Sequence, residues 1–207
     1  MITAVDPLSF QHEQALFAQG HTCIAGVDEV GRGPWAGPVM AAAVVLDPQK
    51  LPQGLNDSKK LSAAKREALY DLICATAHVG LGEASVEEID HHNILQATYM
   101  AMQRAIAQLP VKPCFLLVDG NRLPNNLPCP AQAVVKGDGQ VLSIAAASIV
   151  AKVTRDRLMA ALAQQHPHYG WERNAGYGAP AHQAGLAQHG ITEHHRKSFA
   201  PIAALLG

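Results

Sequence analysis

No stretch of this 207-residue chain stays uncharged and apolar for the ~18 residues that a membrane-spanning helix needs, so no membrane partner is expected. No basic segment leads into an apolar one at the start, so a secretory leader is not expected either. The four cysteines, Cys23, Cys74, Cys114 and Cys129, form no C-x-x-C. They read as small buried hydrophobes in a reducing, cytoplasmic setting. Internal repeats and low-complexity tracts are missing. Net charge is nearly missing too, at −1, and does not advertise nucleic-acid binding. Its distribution is uneven, however. Residues 1–141 carry a balance of −4, whereas residues 142–207 carry +3 and 6 of the 11 histidines. An acidic site beside a basic flank suits a phosphate-bearing polymer, although ordinary surface fluctuation gives the same numbers.

What is present is a 48% apolar chain able to build a real core. Its organising stretch is Ile24-Ala25-Gly26-Val27-Asp28-Glu29-Val30-Gly31-Arg32-Gly33-Pro34. An apolar run leads straight into two adjacent carboxylates. An unpaired buried charge is expensive, so the pair reads either as solvated residues of a glycine turn or as ligands neutralised by a cation. Because strand side chains alternate, both serve one site only if the strand ends or twists there. Around this stretch the pattern predicts a helix over 8–19 and strands over 22–29 and 39–46. A helix over 63–76 follows, capped by Ser62, then a strand over 79–86. A helix capped by Asn93 and ended by Pro110, strands over 114–118 and 131–135, and a long helix over 142–165 complete the set. Gln14-Ala15-Leu16-Phe17 reads as plain helix packing rather than a docking peptide. The order implies an α/β fold, a mixed sheet flanked by helices. Residues 1–165 are expected to form the main domain, and 166–207 an appendage of loops and short helices packed on it.

Asp28, Glu29, Asp119 and Asp138 all fall at predicted carboxyl ends of strands, the edge where ligands gather in open α/β sheets. Asp119 and Asp138 each precede a glycine. Several carboxylates with few other donors select a hard cation, Mg²⁺ or Mn²⁺. Here Asp28-Glu29-Val30-Gly31-Arg32-Gly33, Asn56-Asp57-Ser58-Lys59-Lys60-Leu61-Ser62, Val118-Asp119-Gly120, Lys136-Gly137-Asp138, Ala147-Ser148-Ile149-Val150-Ala151-Lys152-Val153, Gly176-Tyr177-Gly178 and His195-Arg196-Lys197-Ser198-Phe199 closely resemble bacterial ribonuclease HII. Seven motifs in register, over roughly residues 20–200, make the resemblance specific.

The resemblance implies a ribonuclease H-like fold and an endonuclease that cuts RNA in RNA–DNA hybrids and single ribonucleotides in duplex DNA. It implies Asp28, Glu29, Asp119 and Asp138 as a catalytic, metal-binding quartet for Mn²⁺ or Mg²⁺. Gly31, Arg32 and Gly33 would contact the ribose 2′-hydroxyl through backbone groups, and Tyr177 would stack on the following deoxyribose. Lys59, Lys60, Ser148 and Lys152 fit phosphate positioning, with Arg155 on the same helix face as the last two. Arg196 is expected among the substrate-binding residues, with pinning of the tail as the alternative for Arg196 and Lys197. The histidines of His166-Pro167-His168 and His194-His195 lack a zinc arrangement and read as surface or hydrogen-bonding residues. A monomer is expected.

Overall fold

The computed structural model describes residues 8–207. Five strands, β1 (Ile24–Val30), β2 (Val39–Val45), β3 (His78–Ala84), β4 (Phe115–Asp119) and β5 (Ala131–Val134), form one mixed sheet in the order β3-β2-β1-β4-β5. β1, β2 and β3 pair antiparallel, while β4 and β5 run parallel to β1. β4 is central and reads as an unbroken apolar run because both its faces are covered. Around the sheet lie α1 (Gln11–Ala18), α2 (Ala63–Thr76), α3 (Val86–Ala107) and α4 (Leu142–Gln165), followed by the short α5 (Trp171–Asn174), α6 (Pro180–His189) and α7 (Ala200–Ala203). The architecture is the helix-flanked α/β sheet that the pattern predicts.

α4 is the helix that positions the site. Residues 144–151 are all buried, so it shows no single apolar stripe. Its small residues Ala145, Ala146 and Ala147 let it lie close to the sheet. The closest approach is at Gly26, where a Cβ would stand 2.2 Å from the Ser143 carbonyl carbon. On the other face α3 crosses β3 at Gly80 and Gly82, where a Cβ would stand 2.1 and 2.2 Å from helix carbonyl oxygens. The buried Glu13 of α1 accepts from the Ser143 amide at 2.9 Å, supplying an anion to the start of α4, where Val141 offers no side-chain cap. Leu16 and Phe17 of the same helix pack into the core, so the packing account of that segment is the right one.

Three expectations need correction. β3 ends at Ala84 rather than near residue 86, because Ser85 and Glu88 form a reciprocal capping box that starts α3 at once. Asn93 does cap, accepting from the amides of Leu95 and Gln96, but as a kink (φ 69°) inside a longer helical run. The cysteines are not buried: Cys74 is exposed on α2, and Cys23 and Cys114, at the starts of β1 and β4, are half-buried, as is Cys129. Among the described residues no helix is long and apolar enough to cross a membrane.

Residues 166–207 share an apolar cluster with the end of α4 and the loop after β1, built from Ala36, Met159, Tyr169, Trp171, Leu186 and Ile202. An isolated bridge joins Ala36 to His195, and Trp35 donates to Gly176 O.

Gly26→Val forces α4 off β1. A loss of about 1–3 kcal/mol, the usual cost of overpacking, is expected in urea denaturation. An unchanged midpoint would show that α4 does not depend on this contact.

Candidate active site

β1 and β4 are parallel neighbours with Val27 level with Val118, so their carboxyl ends coincide and Asp28 stands beside Asp119. Asp28, Glu29 and Asp119 bring carboxylate oxygens within 4.8 Å of one another. The strand does not end at the pair. It runs to Val30, with Asp28 opposite Ala42 and Glu29 opposite Ala41, so consecutive positions of an intact strand serve one site. Local amides fix the carboxylates: Asp28 Oδ1 accepts from Glu29 N at 2.8 Å and Asp119 Oδ1 from Gly137 N at 2.7 Å. Asp138 follows β5 in a short 3₁₀ turn entered through Lys136 in the left-handed region (φ 57°).

A cleft of about 280 Å³ gathers Asp28, Glu29, Asp119 and Asp138 with Lys59, Ser148, Lys152 and Tyr177. Of the predicted quartet, three form the tight cluster and Asp138 lines the wall. Burial, then the charges of Glu29 and Asp119, push the Asp28 pKa well above the ordinary carboxylate range. Burial raises Glu29 as well, against the opposing pull of Arg32, whose guanidinium lies 3.3 Å away. Burial and Asp119 raise Asp138. Buried carboxylates that repel one another, with one partly exposed arginine as ion-pair partner, form an oxygen-donor set short of positive charge. Such a set fits a hard divalent cation.

Ser148, on α4, lines the same cleft as Asp28 and lies 2.9 Å from Ser58 Oγ. Ser58 was not singled out from the sequence, although it sits inside the quoted Asn56–Ser62 motif. Its loop is held by Asp57, which accepts from Lys59 N at 2.9 Å, and by Arg66, which donates to Ser58 O and Leu61 O. Lys59 reaches the cleft; Lys60 does not line it. Lys152 enters the cleft while paired with Asp156 at 2.7 Å.

Arg196 is not presented to a substrate. It is fully buried, and its guanidinium donates to Gly31 O at 2.6 Å, Gly37 O at 2.9 Å and Arg32 O at 3.1 Å. Arg155 is buried at the back of the cleft with its guanidinium committed, donating to Pro38 O, Ala175 O and Ala36 O at 2.9–3.0 Å. Burial lowers Arg155 to about 10 and, with the neighbouring Arg155 charge, Arg196 to about 9, so both stay cationic at neutral pH. These arginines mould the loop that carries Gly31, Arg32 and Gly33. Gly31 has φ +90°, and a Cβ there would stand 2.2 Å from Arg155 Nε. A Cβ on Gly33 would stand 3.1 Å from Tyr177 Cε1, so the half-exposed Tyr177 ring lies against this loop. Lys197 and Ser198 are held by Asp90, which accepts from both backbone amides.

A mixed sheet with acidic residues converging at the ends of adjacent parallel strands, under a long helix, defines a ribonuclease H-like protein. The chain belongs to the ribonuclease HII family, whose model matches residues 25–202. It is 64% identical to ribonuclease HII of Ruegeria pomeroyi over 95% of this chain and 84% of that one. The fold is similar to ribonuclease H2 of Pyrococcus horikoshii (TM-score 0.76, 27% identity, 89% of this chain and 97% of that one). It also resembles a Bst-RNase HIII solved with Mn²⁺ (TM-score 0.70, 19% identity, 90% and 70%). The protein is thus an enzyme of the family that cleaves RNA in RNA–DNA hybrids.

Two outcomes are expected. A carboxylate that holds its proton more tightly folded than unfolded costs stability as pH rises from the ordinary carboxylate range through its folded pKa. Asp28→Asn removes that cost, so in chelator at neutral pH its urea midpoint should exceed wild type, and its decline with pH should flatten. Mg²⁺ at a hundred times its Kd should add about 2.7 kcal/mol to wild type and far less to the variant. A variant midpoint at or below wild type in chelator would dismiss the repulsion. Arg196→Met leaves the buried carbonyls of Gly31 and Gly37, and the half-buried one of Arg32, without their donor. It should lose about 2–4 kcal/mol, while a thermal shift with Mg²⁺ still reports metal binding.

Proposed function

We propose that this cleft hydrolyses the phosphodiester on the 5′ side of a ribonucleotide, both in RNA–DNA hybrids and at single ribonucleotides within duplex DNA, leaving a 3′-hydroxyl and a 5′-phosphate. The observation that carries the reading is the juxtaposition of the Asp28, Glu29 and Asp119 cluster with the glycine loop that ends against Tyr177. Asp28, Glu29 and Asp119 hold Mn²⁺ or Mg²⁺, with Asp138 completing the acidic wall. When bound, the ion supplies Lewis-acid activation of water and neutralises charge on the leaving oxygen. The oxygen-only donor set supports this, as does the Mn²⁺ complex of the structurally similar RNase HIII.

Gly31, Arg32 and Gly33 offer close backbone approach to a 2′-hydroxyl, the group that separates RNA from DNA. Tyr177 offers an exposed ring to the deoxyribose that follows. Lys59, Ser148 and Lys152 set the phosphate register without reading sequence; Lys60 contributes from beside the cleft. Residues 1–165 act as the catalytic domain and 166–207 as its appendage, in a cytoplasmic monomer.

A labelled DNA duplex with one ribonucleotide, beside an all-DNA control and a long hybrid, tests the reading in Mg²⁺, Mn²⁺ or chelator. Metal-dependent cutting 5′ of the ribonucleotide, absent from the control, is expected. Cutting of the hybrid alone would withdraw the junction role of Tyr177. Asp119→Asn should lower turnover by about 10³ or more and leave hybrid binding in place. Near-normal turnover would remove Asp119 from the mechanism.

A further inference from the structure

Tyr177 is presented from a turn whose backbone is held by a buried polar chain. His182 of α6 and His195 are both fully buried. His182 Nδ1 lies 2.9 Å from Tyr177 O, and His182 Nε2 lies 3.0 Å from His195 Nε2. The Trp171 indole Nε1–H donates to His182 Nε2 at 3.2 Å. At the far end the Thr192 amide donates to His195 Nδ1 at 2.9 Å. Aromatic faces close the surroundings, with Tyr169 edge-on to both imidazoles and Trp35 tilted against His182.

The partners fix where every proton sits. A backbone amide only donates, so His195 Nδ1 is a lone pair and its proton is on Nε2. A carbonyl only accepts, so His182 Nδ1 carries the proton and His182 Nε2 is the acceptor. His182 Nε2 then shares its one lone pair between the His195 Nε2–H at 3.0 Å and the Trp171 N–H at 3.2 Å. The assignment closes without a conflict only if both rings are neutral, and burial, which lowers both pKa values, acts in the same direction. Hydrogen bonds thus run one way, from the Thr192 amide through His195 and His182, and end on the Tyr177 carbonyl. That carbonyl also accepts from Ala179 N at 2.7 Å.

We propose that His182 is a positioning residue for substrate discrimination: the neutral, directionally ordered His195–His182 pair fixes the Tyr177 turn so that its ring stays against Gly33. His182 touches no substrate and acts through Tyr177. The inference rests on the junction role assigned to Tyr177 above. The Tyr177 ring is half exposed and gains its orientation from its backbone and from Gly33. Removing the His182 bond leaves that carbonyl with Ala179 N alone and so loosens the ring's placement without touching the carboxylates.

The test compares kcat/KM for a single-ribonucleotide duplex and for a long hybrid, in wild type, Tyr177→Ala, His182→Gln, His182→Asn and the Tyr177→Ala/His182→Gln double variant. Asparagine places an N–H near the position of Nδ1, while glutamine places its amide near Nε2. His182→Gln is expected to lower the single-ribonucleotide to hybrid ratio about tenfold, the effect of one lost buried hydrogen bond, with hybrid cleavage kept. His182→Asn should recover most of the ratio. Adding His182→Gln to Tyr177→Ala should lower the ratio no further. A normal ratio in His182→Gln, or additive losses in the double variant, would overturn the proposal.

If Tyr177→Ala alone leaves the ratio intact, the junction reading fails instead. The proton order is then tested separately, by long-range ¹H–¹⁵N spectra of the histidine-labelled wild-type protein at neutral pH. Nδ1–H for His182 and Nε2–H for His195 are expected. The reverse order, or a cationic ring, overturns the ordered pair whatever the variants do.

Discussion

Three carboxylates that repel one another are held together at the ends of two parallel strands, and most of the structure around them answers to that constraint. Nothing in their own chemistry brings Asp28, Glu29 and Asp119 within 4.8 Å. The sheet does so, through the register that sets Val27 level with Val118. The repulsion is offset by hydrophobic burial elsewhere: β1, β2 and β4 lie between α3 on one face and α4 on the other, with interior residues at or near zero exposure. Gly26 belongs to this arrangement because the closeness of α4 to β1 sets Ser148 into the same cleft as Asp28. A core position and a site position are therefore linked through one helix.

The loop after β1 meets a second constraint. Its eight residues, Gly31 to Pro38, make few ladder bonds of their own, and buried carbonyls need donors. Arg155 and Arg196 answer this with six donations, five of them to the loop and one to Ala175. The planar fork of arginine suits the task, since one side chain satisfies several carbonyls in fixed directions. The loop's shape thus comes from residues more than a hundred positions away, and the C-terminal segment is part of the site's construction although it lends no carboxylate to it.

The sequence made the cluster legible because each carboxylate ends an apolar run, and Asp119 and Asp138 each precede a glycine. Such local signals survive without tertiary information, and the same holds for the succession of strands and helices along the chain and for α2 and α4; the β3-β2-β1-β4-β5 order of the sheet carried no such signal. The capping box at Ser85 was written equally plainly as S-x-x-E, yet the β-like run of residues 79–84 masked the helix start. The arginines differ in kind. Arg196 in His195-Arg196-Lys197 looks like a phosphate ligand because a sequence gives charge and not destination, and its partner carbonyls on Gly31 and Arg32 lie at the other end of the chain. His182 carried no signal at all, being one histidine among eleven. Its meaning depends on Trp171, His195 and Tyr177 meeting in space.

This difference separates two kinds of site chemistry in one molecule. Among the described residues Arg32, on Glu29, is the one ion-pair partner of the cluster, while Lys59 and Lys152 line the same cleft without pairing to it, so the carboxylates stay open to a cation from outside. The cations behind the loop are instead saturated by neutral carbonyls. Were Arg155 or Arg196 turned toward Asp28 or Asp119, an internal ion pair would satisfy the carboxylates and compete with a divalent ion for them. Carbonyl partners prevent that competition while still holding the loop. The same economy governs the histidine pair: neutral rings surrounded by Trp171, Tyr169 and Trp35 order a turn without adding charge beside the carboxylate cleft.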